Sequence, residues 1–204
     1  MTGVREAGTN DITEIAEVLV RSFHDDPVMS YLFKDDDGRR KKTRALFVGE
    51  SKRAIGKAKG RVDTTDEGPV KGAAIWFKPD EWRTGGMELL GQIPLLFTLG
   101  LETPRALSLL GQMEKVHPKE PHWYLAVLGT DPQHQGKGVG SSVIAPILTK
   151  CDDEGIGAYL ESSKDRNIPF YRRHGFEVTG EVKAKDGPTL WPMWRDPRPP
   201  DGTG

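Results

Sequence analysis

Gln135, Gly138 and Gly140 stand at the spacing Q-x-x-G-x-G within the stretch Thr130-Asp131-Pro132-Gln133-His134-Gln135-Gly136-Lys137-Gly138-Val139-Gly140-Ser141-Ser142. An apolar run, Trp123 to Leu128, precedes this stretch, and a helix-like segment, Val139 to Asp152, follows it. In a strand, glycine-rich turn and helix, consecutive backbone N–H groups converge on one anion. The helix N-terminus adds partial positive charge, and the missing Cβ atoms let a phosphate approach closely. The chemistry indicated is therefore binding of a phosphate-bearing ligand. Two common phosphate loops do not fit. A Walker A loop needs a hydroxyl residue after its lysine, but Lys137 is followed by Gly138. Gly136, Gly138 and Gly140 run G-x-G-x-G, not the dinucleotide G-x-G-x-x-G, and no ribose-binding acid follows at the usual distance.

A second constellation lies downstream. Asn167-Ile168-Pro169-Phe170-Tyr171-Arg172-Arg173-His174-Gly175-Phe176 reads N-x-x-x-Y-x-x-x-G-F. In this order and spacing the two motifs resemble the GNAT superfamily of acyl-CoA-dependent N-acetyltransferases. The run from His117 to Leu128, the loop, Tyr159-Leu160-Glu161-Ser162-Ser163 and Arg166 to Phe176 are similar to the puromycin N-acetyltransferases within it. That similarity is close over roughly residues 115 to 195 and weak in the N-terminal half.

The resemblance implies an α/β (α+β) GNAT fold: a mixed, mostly antiparallel sheet of six to seven strands, split at the central strands and flanked by helices. It implies acetyl-CoA as the acyl donor. Gln135, Gly136, Lys137, Gly138, Val139, Gly140 and Ser141 would hold the pyrophosphate, and Asn167 would contact the cofactor arm. Leu128, Gly129 and Thr130 would offer backbone groups to the pantetheine arm, one N–H reaching the thioester oxygen. Tyr171 would face the thioester.

Acyl transfer to an amine sets its own requirements. The amine must lose its proton, since aliphatic amines are mostly charged at pH 7. A developing oxyanion must be stabilised and the departing thiolate protonated. No protein nucleophile is needed when both substrates are held in line, because positioning alone lowers a barrier by roughly 7–11 kcal/mol. Tyr171 suits the general acid, as a phenol keeps its proton at neutral pH. Glu161 is the candidate base, acting through water, if it shares a cleft-facing side with Tyr159 and Ser163; an ion pair with a neighbouring basic residue fits it equally well. Asp25 and Asp26 could attract a cationic amine, or be solvated helix-end acids. His24, His117, His122, His134 and His174 have no metal-ligand spacing and are read as structural or surface residues, with no metal. Cys151 is read as core.

Composition narrows the class. The chain has 204 residues, enough for one domain with a sizeable core. Lys plus Arg number 29 against 30 Asp plus Glu, so no basic field argues for nucleic acid or an anionic membrane. A single cysteine admits no internal disulfide and suits a cytoplasmic location. Met1 to Asn10 lacks a secretion signal's apolar core, and the apolar run Ile93 to Leu101 is too short to span a bilayer.

The positioning elements follow in order. Val4 to Ala7 reads as a strand. Asp11 starts a helix with Glu14 as capping-box partner and Ile12, Ile15, Ala16, Leu19 and Phe23 as its apolar stripe. That helix ends near His24-Asp25-Asp26-Pro27, and Val28 to Phe33 forms a short cleft-lining helix. Asp35 to Asp37 reads as a solvated turn, and Arg39 to Lys57 as a helix with a basic outer face. Lys59 to Asp63 and Val70 to Phe77 pair around a turn at 66–69. Residues 78 to 120 form an insert with helix-like segments Met87 to Leu99 and Thr103 to Val116. In the family this region borders the acceptor pocket.

His122 to Thr130 is the central strand, and Pro146 is expected to bend the helix behind the loop. Ala158 to Ser162 is the next strand. Asn167 is read as a helix N-cap and Gly175 as its C′ glycine. Phe176 to Ala184 and Thr189 to Arg195 close as a hairpin. The expectation is one domain over 1–196 and a disordered tail over 197–204, with no repeats and no linker. Function reduces to an N-acetyltransferase acting on a small primary amine, antibiotic or aminoacyl-like, as monomer or homodimer. The alternatives are an acyl-CoA-binding sensor and a protein lysine or N-terminal acetyltransferase.

Overall fold

Val70 to Phe77 alternates two apolar sets, Ala74 with Trp76 and Ala73 with Ile75 and Phe77, so a strand there must be covered on both faces. A computed structural model, which describes residues 3–56, 59–66, 68–82 and 103–198, places it at the middle of a mixed sheet. Ala74 and Trp76 join one core cluster, and Ala73, Ile75 and Phe77 join another on the opposite face.

In chain order the elements are β1 (Val4–Glu6), α1 (Ile12–Ser22), α2 (Pro27–Leu32), α3 (Asp36–Gly56), β2 (Gly60–Thr65), β3 (Gly72–Phe77) and α4 (Thr103–Val116). They continue as β4 (His122–Thr130), α5 (Val139–Glu154), β5 (Gly157–Ser162), α6 (Ile168–Arg173), β6 (Glu177–Val178), β7 (Val182–Lys183) and β8 (Thr189–Arg195). Among the described residues the sheet has eight strands in the order β1-β2-β3-β4-β5-β8-β6, with β7 also paired to β8. That is more than the six to seven expected, because Thr179 to Glu181 divide the predicted strand 176–184 into β6 and β7. All pairs are antiparallel except β4 with β5.

Helix α5 covers one face through Val139, Val143, Ile144, Ile147, Leu148 and Cys151, and α6 joins it through Tyr171. Helices α1 and α3 cover the other through Ile15, Ala16, Leu19, Phe47 and Ala54. Burying each of the Val, Leu, Ile and Phe side chains among these contributes roughly 1.5–3 kcal/mol. Helix α4 spans the predicted bounds and packs Leu109 against Val182, Ala184 and Leu190 of the C-terminal strands. Residues 87–99 and 199–204, expected as a helix and a tail, lie outside the described residues. No helix among the described residues is long and apolar enough to cross a membrane.

Three local expectations are corrected. Asp11 and Glu14 form no capping box. The Asp11 carboxylate accepts from the Gly8 N–H at 2.8 Å and pairs with Arg5, while Glu14 accepts from the Val70 N–H at 2.9 Å. Asp35 to Asp37 are exposed as expected but do not form a turn: Asp35 accepts from the Gly38 N–H at 3.1 Å, and Asp36 and Asp37 open α3, where negative charge suits the helix dipole. Asn167 makes no side-chain cap. It lies in a 3-10 turn, Asp165–Asn167, in helical conformation.

Candidate active site

The site begins where the parallel pair β4–β5 ends. Only His122, Trp123 and Tyr124 pair with β5, opposite Gly157, Ala158 and Tyr159. Beyond Tyr124, β4 stays with β3, passing a bulge between its pairings to Ile75 and Trp76, and diverges from β5. A bulge bends and twists a strand, and the result is a wedge-shaped gap within the sheet. A cleft of about 680 Å³ occupies it, lined by Leu125 to Leu128 and Thr130 of β4, by the glycine loop, and by Glu161, Asn167 and Tyr171.

The loop is built to present N–H groups. Asp131 accepts from the Gln133 N–H at 3.0 Å and is held by Arg21 at 2.7 Å. Gly136 and Gly138 have φ of 74° and 83°, where a Cβ would strain the backbone, and a Cβ at either would meet nothing within 4 Å, so the space above them is open. The first bond of α5 runs from the Ser142 N–H to the Gly138 carbonyl. The N–H groups of Val139, Gly140 and Ser141 therefore have no partner within the helix. These groups fit a pyrophosphate.

Two loop side chains turn back on the protein. Gln135 donates to the Thr130 carbonyl at 3.2 Å, and the Lys137 ammonium donates to the Gln133 carbonyl at 2.9 Å. Ser141 Oγ lies 2.9 Å from His174 Nε2. Gly129 and Lys137 are not among the lining residues. A Cβ on Gly129 would come within 2.6 Å of Leu19 Cδ2, so the glycine there serves the packing of α1 on β4. The Thr130 N–H is taken by Ser22 Oγ at 3.2 Å.

Tyr171 enters the cleft from the α5 face. Its helix stops in a Schellman motif, with Gly175 at φ 89° and the Phe176 N–H bonded to the Tyr171 carbonyl. Burial, and next the charge of Asp26, raise the phenol's pKa further above 10, so it holds its proton throughout the neutral range. Glu161 lies one alternation past the last β4–β5 pair, on the same side as Tyr159 and facing α1 and α3. Its side chain is 2% exposed, with Oε1 3.7 Å from His117 Nδ1. Burial and then the Glu161 carboxylate raise the phenols of Tyr124 and Tyr159. A phenol and a carboxyl group thus meet the gap from opposite faces of the sheet.

Several lining residues escape a reading by motif. Asp26 is 2% exposed rather than solvated. It caps α2, accepting from the N–H groups of Val28 at 2.9 Å and Met29 at 3.1 Å and from Ser163 Oγ at 2.5 Å. Its carboxyl is pushed up, chiefly by burial. Asp25 is drawn down to about 2 by the Lys164 hydrogen bond and then by Arg166. Cations at the rim include Lys164, Arg166 and Arg173. His117 and His122 are buried side by side. Cys151 is fully buried, with its thiol pushed up to about 12 by burial, which suits packing and not nucleophilic attack.

Comparison with known proteins agrees with this geometry. The model of the acetyltransferase (GNAT) family matches residues 105–176. An uncharacterized N-acetyltransferase of Schizosaccharomyces pombe is 30% identical over 178 residues, spanning 81% of this chain and 70% of that protein. A Corynebacterium glutamicum crystal structure described as histone acetyltransferase HPA2 and related acetyltransferase is 28% identical, with a TM-score of 0.71 over 99% of this chain and 100% of that one. The PaiA N-acetyltransferase of Thermoplasma acidophilum, solved with coenzyme A, shares the fold at 11% identity and a TM-score of 0.58, over 96% of this chain and 99% of that one. With its sheet split at β4, its glycine loop at the mouth of the gap and these relatives, the chain is an acetyltransferase and belongs to the GNAT family.

Proposed function

We propose that this acetyltransferase moves an acetyl group from acetyl-CoA to the primary amine of a small molecule, by direct attack with both substrates bound. The observation that carries the reading is the convergence of Tyr171, Glu161 and the loop N–H groups on one gap in the sheet. Acetyl-CoA supplies an activated thioester. The N–H groups of Val139, Gly140 and Ser141 hold its pyrophosphate, and Arg166 and Arg173 add positive charge at the rim. The unpaired edge of β4 near Leu128 offers backbone groups to the pantetheine arm. Asn167, free of a capping bond, presents its amide to the same arm.

Tyr171 donates its proton to the leaving sulfur. Glu161, buried between Tyr124 and Tyr159, takes the acceptor's proton directly or through one water. The acceptor class follows from enclosure: Met113 of α4, Val28 and Met29 of α2 and Leu190 of β8 close the cleft on the acceptor side. An apolar wall of this kind suits an amine carried on an aromatic or aliphatic body, such as an aminoacyl compound of the puromycin type.

Thiol release from acetyl-CoA across a panel of puromycin, polyamines, amino acids and short peptides tests this, beside a thermal-shift titration with CoA. Turnover with puromycin or another small amine is the expected result. Turnover confined to peptides would move the acceptor to a protein. A CoA-induced shift with no turnover would leave an acyl-CoA-binding protein, and no shift would remove the loop assignment.

A further inference from the structure

His117 and His122 hold each other in the core behind Glu161, outside the lining of the cleft, and their partners dictate where their protons sit. His122 Nδ1 lies 2.6 Å from the Glu120 carbonyl oxygen. A carbonyl only accepts, so Nδ1 carries the hydrogen. Burial, the largest influence on His122, lowers its pKa and keeps the ring neutral, leaving a lone pair on Nε2. His117 Nε2, 2.9 Å away, must then donate. The other nitrogen of a neutral His117, Nδ1, is left with a lone pair facing Glu161 Oε1 across 3.7 Å. That oxygen is buried and has no hydrogen-bond partner among the described residues. Trp82, stacked on the imidazole at 3.5 Å, fixes the plane of the ring. With a neutral His117, two acceptors oppose each other across that gap, and a proton placed on Nδ1 makes the contact an ion pair.

We propose that this gap is the proton-accepting position of the reaction: Glu161 and His117 act as one unit that takes the proton shed by the acceptor amine, and His122 is the positioning residue that holds His117 in the receptive tautomer. The inference rests on the acetyl-transfer reading of the cleft. One ammonium proton passes to the Glu161–His117 gap, where it turns two opposed acceptors into a hydrogen-bonded pair. The freed nitrogen lone pair forms the C–N bond, the C–S bond breaks, and Tyr171 delivers a proton to the departing sulfur. The unit then returns its proton to solvent, and Tyr171 is reprotonated. Four other titratable groups bear on this cluster. Tyr124 and Tyr159 flank the carboxylate as neutral phenols. Glu50 of α3 is paired with Arg53 at 2.9 Å. Asp80, in the turn after β3, has the smallest influence on His122 of the groups acting on it.

Long-range ¹H–¹⁵N NMR of the ligand-free, ¹⁵N-labelled protein reads the tautomers without any acceptor, with His117→Gln and His122→Gln supplying assignments. The expected result is Nδ1–H on His122 and Nε2–H on His117 at alkaline pH. In H122Q, His117 should become a mixture of tautomers. An Nδ1–H tautomer of His117 in the wild type at alkaline pH would overturn the proposal. In thiol-release assays, E161Q and H117Q should each lose roughly tenfold or more in kcat with little change in KM, and should abolish the same limb of the pH–rate profile. The double variant should be no slower than the worse single one. Additive losses, or different limbs removed, would show that the two side chains do not act together. Should no amine on the panel turn over, the acetyl-transfer reading fails while the tautomers still decide whether the acceptor gap exists.

Discussion

Asp63 offers a test of the fold's electrostatics that needs no substrate. It lies in β2, opposite Glu6 of β1 and Ala74 of β3, and is fully buried. Arg61 reaches Oδ1 at 2.7 Å, while Oδ2 has no partner among the described residues. Burial outweighs Arg61 and raises the carboxyl from 3.8 to about 6. A native pKa above the unfolded one means that the native state binds more protons between the two values. Stability therefore falls as pH rises through that window. The full penalty at neutral pH is roughly 3 kcal/mol, of which about 1.4 kcal/mol develops between about pH 5 and about pH 7.5.

Asp63→Asn removes this titration. Its absolute effect includes the lost contact with Arg61, but the charge-dependent part of that contact is already contained in the raised pKa and adds no separate pH dependence. Urea denaturation of both proteins at the two pH values should show the stability difference, variant minus wild type, growing by about 1.4 kcal/mol toward the higher pH. In melting temperature that is about 3–6 °C for a chain of this size. A difference that stays flat, or shrinks toward pH 7.5, would refute the argument that burial dominates at Asp63.

Three further outcomes are expected. Tyr171→Phe should lower turnover by roughly 10²-fold while CoA still raises the melting temperature, and unchanged turnover would remove the phenol from proton delivery. Gly138→Ala, at φ 83° with open space around it, adds only backbone strain of about 1–2 kcal/mol; isothermal titration should show CoA binding weakened roughly tenfold. Asp152 takes both Arg195 nitrogens at 2.7 Å, and Arg195 is 3% exposed. Asp152→Ala strands that guanidinium and should cost about 3 kcal/mol in denaturant unfolding.

Much of this arrangement is legible in the sequence because periodicity reports burial directly. The two faces of residues 73–77, the stripe of α5 and the bounds of β4 and α4 follow from spacing alone, whereas Val70, expected beside Ala74 and Trp76, precedes β3 and packs with Ala73, Ile75 and Phe77. The glycine loop is legible because only glycine tolerates the backbone it adopts at 136 and 138. What spacing cannot report is which distant group meets a given side chain. Asp26 looks like a solvated helix-end acid, and it becomes a buried cap because Ser163, 137 residues away, closes over it. His117 and His122 flank an irregular connection with no period, so their contact with each other and with Glu161 leaves no trace in the sequence. Gly129 falls between cleft residues yet answers to Leu19. Asn167 sits where a cap would be, but the 3-10 turn before it already supplies the helix start. The residues whose partners are local are readable, and those whose partners come from other elements are not.

The short parallel ladder between β4 and β5 also bears on how the molecule yields under load. Strands β1 to β4 and strands β5 to β8 are each knit by continuous antiparallel pairing, whereas three residue pairs join the two sets. Widening the wedge beyond Tyr124 breaks no ladder bond in either set, so the sheet bends most easily in its own plane at that apex. The groups that close the wedge, Asp26 with Ser163 and Asp25 with Lys164 and Arg166, are side-chain latches between α2 and the segment after β5. These polar side-chain contacts at the mouth are separate from the ladders that fix the sheet's register.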